Sequence, residues 1–172
     1  MNIEIKAFVG SVENFEKKVR ELSKSDVIVI KQHDIFFIVP NGRLKLRLFE
    51  DGFGELIYYE RPDTDGPKVS SYKKTSLNVE AAQGIKEVLS VANGVLGNVI
   101  KTRHLYMIGQ TRVHVDRVDG LGDFMELEVV LRDNQNVSEG EEIANDLMKK
   151  LDVKKENLIS GAYLDLLIRK KS

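Results

Sequence analysis

The sequence predicts an α+β fold in which an antiparallel sheet closes into a barrel with amphipathic helices packed outside it. Three observations carry this. Short segments with period-2 alternation dominate the chain, and three stretches carry helical period instead. Read by parity, the strands have one face almost wholly apolar and the other almost wholly charged. A charged strand face ordinarily lies in water. Here three amphipathic helices each need an apolar surface, and the apolar strand face is the one available. Helices on that side leave the charged face to line something within. A sheet of about eight or more strands can also close on itself, which removes its open edges.

The alternation predicts strands over 3–9, 27–31, 35–39, 43–49, 56–61 and 69–73, then over 99–108, 110–118, 124–131 and 162–168. Pro40-Asn41-Gly42, Asp51-Gly52-Phe53-Gly54 and Asp119-Gly120-Leu121-Gly122 supply turns between them. In 12–23, Val12, Phe15, Val19 and Leu22 fall on one helical stripe. In 78–93, Val79, Ala82, Ile85, Val88, Leu89 and Ala92 do the same. The third helix, over 138–151, carries Ile143, Leu147 and Leu151, with Ser138 and Glu141 reading as a capping box. The loop at 62–67 is the expected flexible excursion. No repeat, low-complexity linker or domain boundary interrupts the chain, so residues 1–172 are expected to form a single domain.

Composition narrows the function classes. A net charge of −1 gives the whole molecule no pull on a nucleic-acid polymer or an anionic membrane, so any anion preference must come from local clustering. The absence of cysteine removes disulfides and thiolate metal sites. No segment approaches the ~20 apolar residues needed to span a bilayer. Glu4 and Lys6 break any apolar run at the N-terminus, so no signal peptide and a cytoplasmic location are expected.

The charged face consists of Glu4 and Lys6, Lys45 and Arg47, Lys101 and Arg103, Arg112, His114 and Asp116, Glu126 and Glu128, and Asp165. Arg and Lys dominate, and the acids gather on particular strands. Buried charge is costly unless paired or occupied by ligand. Bases facing one another across a channel call for a polyanion. Adjacent carboxylates such as Glu126 and Glu128 call for a hard divalent cation, because Mg²⁺ takes oxygen ligands and bridges carboxylates to phosphates. The residues alone therefore point to a tunnel for a phosphate-rich anion plus metal. An apolar-ligand carrier is disfavoured by the same charged lining.

These residues resemble the CYTH proteins, or triphosphate tunnel metalloenzymes, which include class IV adenylate cyclases, thiamine triphosphatases and inorganic triphosphatases. Asn2-Ile3-Glu4-Ile5-Lys6 looks like the family's Glu-x-Glu-x-Lys signature with its first acid replaced. Gln32-His33-Asp34-Ile35-Phe36-Phe37, Gly42-Arg43-Leu44-Lys45-Leu46-Arg47 and Val99-Ile100-Lys101-Thr102-Arg103 follow in family order. Arg112-Val113-His114-Val115-Asp116, Gly120-Leu121-Gly122-Asp123-Phe124-Met125-Glu126-Leu127-Glu128 and Ser160-Gly161-Ala162-Tyr163-Leu164-Asp165-Leu166-Leu167 are especially like the class IV adenylate cyclase branch.

The resemblance implies an eight-stranded antiparallel tunnel that binds a small-molecule triphosphate with Mg²⁺ or Mn²⁺, in a monomer or homodimer. By position, Glu4, Glu126 and Glu128 resemble the metal ligands, with Asp116 as a further acid. Lys6, Lys45, Arg47, Lys101, Arg103 and Arg112 resemble the triphosphate clamp, Lys73 is a weaker candidate for it, and His114 is a candidate contact to phosphate. Glu4, Lys6 and Asp116 are the expected catalytic groups. Glu60 and Arg61 lie on opposite faces, and Glu60 is the one expected to point inward. Asn2 keeps an oxygen but no charge, which weakens metal affinity there. Phe36-Phe37 stands where thiamine triphosphatase-like members carry tyrosine, and a phenyl ring has no proton to exchange.

Three activities share such a clamp. They are metal-dependent hydrolysis of inorganic or nucleoside triphosphate, cyclisation of ATP to cyclic AMP and pyrophosphate, and binding of polyphosphate or nucleotide without turnover. Hydrolysis is the favoured expectation.

Overall fold

Alternation of apolar and polar residues makes strands, and the chain spends its apolar half on the outside of a closed sheet. The computed structural model describes residues 1–60, 62, 64 and 66–171. Among them run β1 (Asn2–Phe8), α1 (Val12–Ser23), β2 (Ile28–Phe37), β3 (Arg43–Phe49), β4 (Gly54–Glu60), β5 (Lys68–Leu77), α2 (Val79–Ala92), β6 (Val95–Ile108), β7 (Thr111–Val118), β8 (Gly122–Val130), α3 (Val137–Lys150), a 3₁₀ turn (Lys155–Asn157) and α4 (Tyr163–Lys171). The strands form a closed antiparallel barrel in the order β1-β5-β4-β3-β2-β6-β7-β8. β1 closes it, pairing with β8 along its whole length but with β5 only through Asn2–Glu4 against Lys68–Ser70.

Burial follows the expected parity. Ile3, Ile5, Val113, Val115, Leu127 and Val129 point outward and pack against Phe15 and Val19 of α1 and Leu147 of α3. On the far side, Ile35, Phe37 and Leu46 lie beneath Ile85 and Leu89 of α2. A third cluster fills one end of the barrel, where Phe36, Val99, Val118 and Phe124 meet Ile159, Tyr163 and Leu164. That end is therefore stoppered by α4. The chain leading into it is pinned to β1 by a hydrogen bond from Ile159 N–H to the Lys6 carbonyl at 2.9 Å.

Four local expectations are corrected. The segments at 27–31 and 35–39 are one strand, β2, because the polar residues read as a break, Gln32 and Asp34, simply face inward. The segment at 162–168 is the start of a helix, not a strand. Its apolar residues also fit helical spacing through Tyr163, Leu164 and Leu167, and the Asp165 carboxylate accepts from Ala162 N–H at 3.0 Å to close the first turn. The capping box of α3 uses Asn136 and Glu139 rather than Ser138 and Glu141. On α2, Val79 and Val88 belong to the exposed side, and only Ala82 of the expected stripe is fully buried. Of the loop at 62–67, residues 63 and 65 lie outside the described residues. No helix among the described residues is long and apolar enough to cross a membrane.

Two helical glycines separate propensity from packing. A Cβ on Gly140 of α3 would stand 2.5 Å from Leu131 Cδ2 and 2.6 Å from Ile3 Cγ1, so this glycine sets how closely α3 approaches β1. Gly84 of α2 would meet nothing within 4 Å. Gly140→Val is expected to destabilise by about 1–3 kcal/mol through overpacking. Gly84→Ala is expected to stabilise by about 0.5–1 kcal/mol. Urea midpoints check both, and equal shifts of the same sign would contradict this reading of the α3 interface.

Candidate active site

The inward face of the barrel bounds a cavity of about 260 Å³. β1 contributes Asn2, Glu4 and Lys6, β2 Gln32 and Asp34, β3 Lys45 and Arg47, β6 Lys101 and Arg103, β7 Arg112 and His114, and β8 Glu126 and Glu128. Each is two residues from the next on its strand, the spacing that keeps side chains on one face. Ala162, just before α4, and Tyr163, its first residue, close the floor.

Two carboxylates organise most of the cations. Asp34, 1% exposed, accepts from Arg47 Nε at 2.8 Å and Nη2 at 2.9 Å, and from Lys45 Nζ at 3.2 Å. Lys101 Nζ lies 3.5 Å from the same carboxylate. Burial opposes the charge on Asp34, but Arg47, Lys45 and Lys101 together outweigh it and hold the carboxyl well below its usual range. The cations are left under-neutralised. Burial, then the neighbouring Arg47, pulls Lys45 down to about 8, and burial with Arg103 pulls Lys101 well below its ordinary value. Lys6 and Lys101 stand over the Tyr163 ring at 4.1 and 5.2 Å from its centroid.

The second organiser is Asp116, which takes Arg103 Nε and Nη2 at 2.8 Å each and the Tyr163 hydroxyl at 2.8 Å. Arg103 Nη2 reaches on to Glu126 at 3.3 Å, and Lys6 Nζ lies 3.4 Å from Glu126. Burial disfavours the Glu126 charge, yet Lys6 and Arg103 keep its carboxyl well below the usual range. His114 Nδ1 is buried 3.5 Å from the Glu126 carboxylate, in ion-pair range but without hydrogen-bond geometry. Burial and the Arg103 charge push His114 down to about 4, so the ring is neutral at pH 7.

Toward the open end the balance turns acidic. Glu4 and Glu128 are cross-strand partners, and Arg112 bonds Glu128 at 3.3 Å from a half-exposed position. Burial and the adjacent Glu4 push the Glu128 carboxyl up. A divalent cation would relieve that crowding, and two carboxylates with the Asn2 amide on the same wall are the kind of oxygen donors a hard divalent ion takes. Among the described residues no group of three or more His, Asp or Glu side chains is arranged to hold a metal by itself. A cation here would complete its shell with water and ligand oxygens, as Mg²⁺ does at phosphate sites. The residues fit such a metal on those terms.

Most of the expected residues therefore converge: Glu4, Lys6, Lys45, Arg47, Lys101, Arg103, Arg112, His114, Glu126 and Glu128 line one cavity. Three do not. Glu60 is turned outward and its carboxylate accepts from the Tyr58 hydroxyl at 2.5 Å, because parity puts Tyr59 inside. Lys73 also faces out, and its neighbour Lys74 lines the cavity, paired with Glu55 at 3.2 Å. Asp116 is fully buried behind Arg103 with its oxygens engaged. Asp165, on α4, holds the Arg43 guanidinium rather than standing on a strand face. Arg61 lies outside the described residues. His33 and His104 bond Asn98 and Glu16 at 2.8 and 3.0 Å and do not line the cavity.

Sequence reasoning missed Asp34, Tyr163 and Lys74. Reading 27–39 as one strand would have carried the inward parity through Asp34. Reading 162–168 as a helix would have brought Tyr163 to the floor.

A family model described as the CYTH domain matches residues 1–163. A Methanocaldococcus jannaschii protein whose name proposes an adenylate cyclase is 27% identical over 179 residues, spanning 96% of this chain and 98% of the relative. A solved Pyrococcus horikoshii protein, 24% identical, superposes with a TM-score of 0.83 over 96% of this chain and 99% of that one. A Hippeastrum protein, named for adenylyl cyclase and described as having a dominant triphosphatase activity, superposes with a TM-score of 0.70 at 17% identity, covering 100% and 97% of the two chains. With a match over nearly its whole length, on a barrel whose charged face is turned inward, this chain belongs to the CYTH domain family.

Proposed function

We propose that the chain is a divalent-metal-dependent triphosphatase acting on inorganic triphosphate or a nucleoside triphosphate. The observation that carries this is the surplus of buried cations: Lys45 and Lys101 share Asp34 with Arg47, and both ammonium groups have lowered pKa values. Such a surplus is relieved by a polyanion. A cavity of about 260 Å³ lies just under the roughly 300–1,000 Å³ typical of small-molecule sites, which suits a compact anion.

In this reading Lys45, Arg47 and Lys101 take phosphate oxygens on one wall, and Lys6 and Arg103 take them on the other. Arg112 guards the entrance. Fixed donors aimed where charge develops stabilise phosphoryl transfer without reorganising. Asp116 and Tyr163 hold Arg103 in position, so Asp116 acts through the arginine rather than on a metal. Glu126 keeps Lys6 and Arg103 charged. Glu4 and Glu128, with Glu126 nearby, would hold Mg²⁺ or Mn²⁺, which shields phosphoryl charge when bound.

A second reading, cyclisation of ATP to cyclic AMP and pyrophosphate, is favoured by the name of the Methanocaldococcus jannaschii relative. The activity described for the Hippeastrum protein favours hydrolysis. Products separate the two. Incubation with ATP, inorganic triphosphate and thiamine triphosphate under Mg²⁺ or Mn²⁺, with products identified by mass, is expected to give orthophosphate. Cyclic AMP with pyrophosphate would instead establish the cyclase, and binding without turnover would overturn both. Glu126→Gln is expected to lower kcat/KM by about 10²-fold or more, since it removes the charge that pairs Lys6 and Arg103.

The Lys45 ammonium supplies a pH signature. A base whose pKa is lowered to about 8 is charged below that pH and neutral above it. Affinity for inorganic triphosphate is therefore expected to fall as pH rises through about 8. Lys45→Arg keeps its charge and should flatten that limb in calorimetric titrations on either side of this pH. Identical profiles for the two proteins would count against Lys45 as part of the clamp.

A further inference from the structure

Asp34 and Asp116 make the same fork with an arginine directly across a strand pair, yet their surroundings differ. Asp116 is shut away from the cavity, and the Tyr163 hydroxyl occupies the oxygen that Arg103 Nη2 also uses. It is a fixed back-support. Asp34 forms part of the cavity wall, and its remaining partners are the ammonium groups of Lys45 and Lys101, on the strands to either side of β2.

We infer that Asp34 is a resident counter-anion of the tunnel, one that competes with an incoming phosphate for Lys45, Lys101 and the inner edge of Arg47. This rests on the triphosphate reading above and adds the group that sets its affinity. A carboxylate receiving an arginine fork and two ammonium groups collects the same donors that a phosphoryl group collects. The exchange leaves the lysines supported. Lys45 Nζ stands 5.5 and 5.3 Å from the ring centroids of Phe36 and Tyr59, and Lys101 Nζ stands 5.2 Å from that of Tyr163. Those aromatic faces hold the ammonium groups near their places when the carboxylate contact is given up.

A competitor and a positioning residue make opposite forecasts. Removing a competing buried charge strengthens anion binding, whereas removing a positioning group weakens it. Asp34→Asn keeps the side-chain shape and removes the charge. It is expected to unfold at lower temperature than the unaltered protein when no ligand is present, because three cations lose their shared anion. It is expected to bind inorganic triphosphate about tenfold tighter or more. Its melting temperature should also rise further on adding that ligand than the unaltered protein's does.

Should the single variant not fold, the comparison is made in a Lys101→Gln background. There Asp34→Asn removes one anion after one cation, and the same tightening relative to Lys101→Gln alone is expected. Equal or weaker binding of inorganic triphosphate in whichever comparison folds overturns the competitor role while leaving the tunnel reading intact. No binding by the unaltered protein overturns the triphosphate reading, and this inference with it.

Discussion

Closing a sheet around its charged face commits the chain to giving every inward charge a partner. An ion left alone in a space walled by protein loses hydration that nothing replaces. The apolar residues in register with those charges must in turn be covered from outside, which is what α1, α2 and α3 do. Helix placement, core and site thus follow from one alternation carried around eight described strands. A slip of one residue in any strand would exchange core for tunnel.

The pairing inside is uneven in a useful way. Arg103 is locked by Asp116 and Tyr163 and pushed well above an already high pKa by the carboxylates around it despite burial. Arg47 is forked to Asp34, but that carboxylate is shared with two lysines. One wall is therefore rigid and balanced, and the other is cation-rich and able to exchange partners. At the open end Glu4 and Glu128 reverse the sign. A polyanion with a divalent cation at its outer oxygens complements that gradient from floor to mouth.

Much of this was legible as parity. Glu4 and Lys6, Lys45 and Arg47, and Glu126 and Glu128 alternate with Ile, Leu and Val, and Lys101 and Arg103 flank Thr102 on the same period of two, so both faces could be assigned residue by residue. Reading failed where the pattern had two explanations. Gln32-His33-Asp34 looks like a polar interruption unless the strand is known to line a charged space. The segment at 162–168 satisfies both period 2 and helical spacing, and the Asp165 bond to Ala162 N–H, with the backbone bonds of Asp165 and Leu166 to the Ala162 carbonyl, settles it as a helix start. Glu60 and Lys73 failed because each borders an alternation whose phase is set by Tyr59 and Lys74, polar side chains that give no burial signal of their own. The partner of each charge was legible only where register was, and the sharing of Asp34 among three cations depends on strands that are far apart in sequence.

On the reading proposed above, the buried cations of this barrel form a triphosphate site with a metal at its acidic mouth. A crystal structure with inorganic triphosphate and Mn²⁺ tests it most directly, since manganese can be located by its anomalous scattering. The expected result is phosphate density among Lys45, Arg47, Lys101 and Arg103, with manganese on the Glu4 and Glu128 side. Phosphate found only on the outer surface, or manganese held away from both carboxylates, would contradict the account.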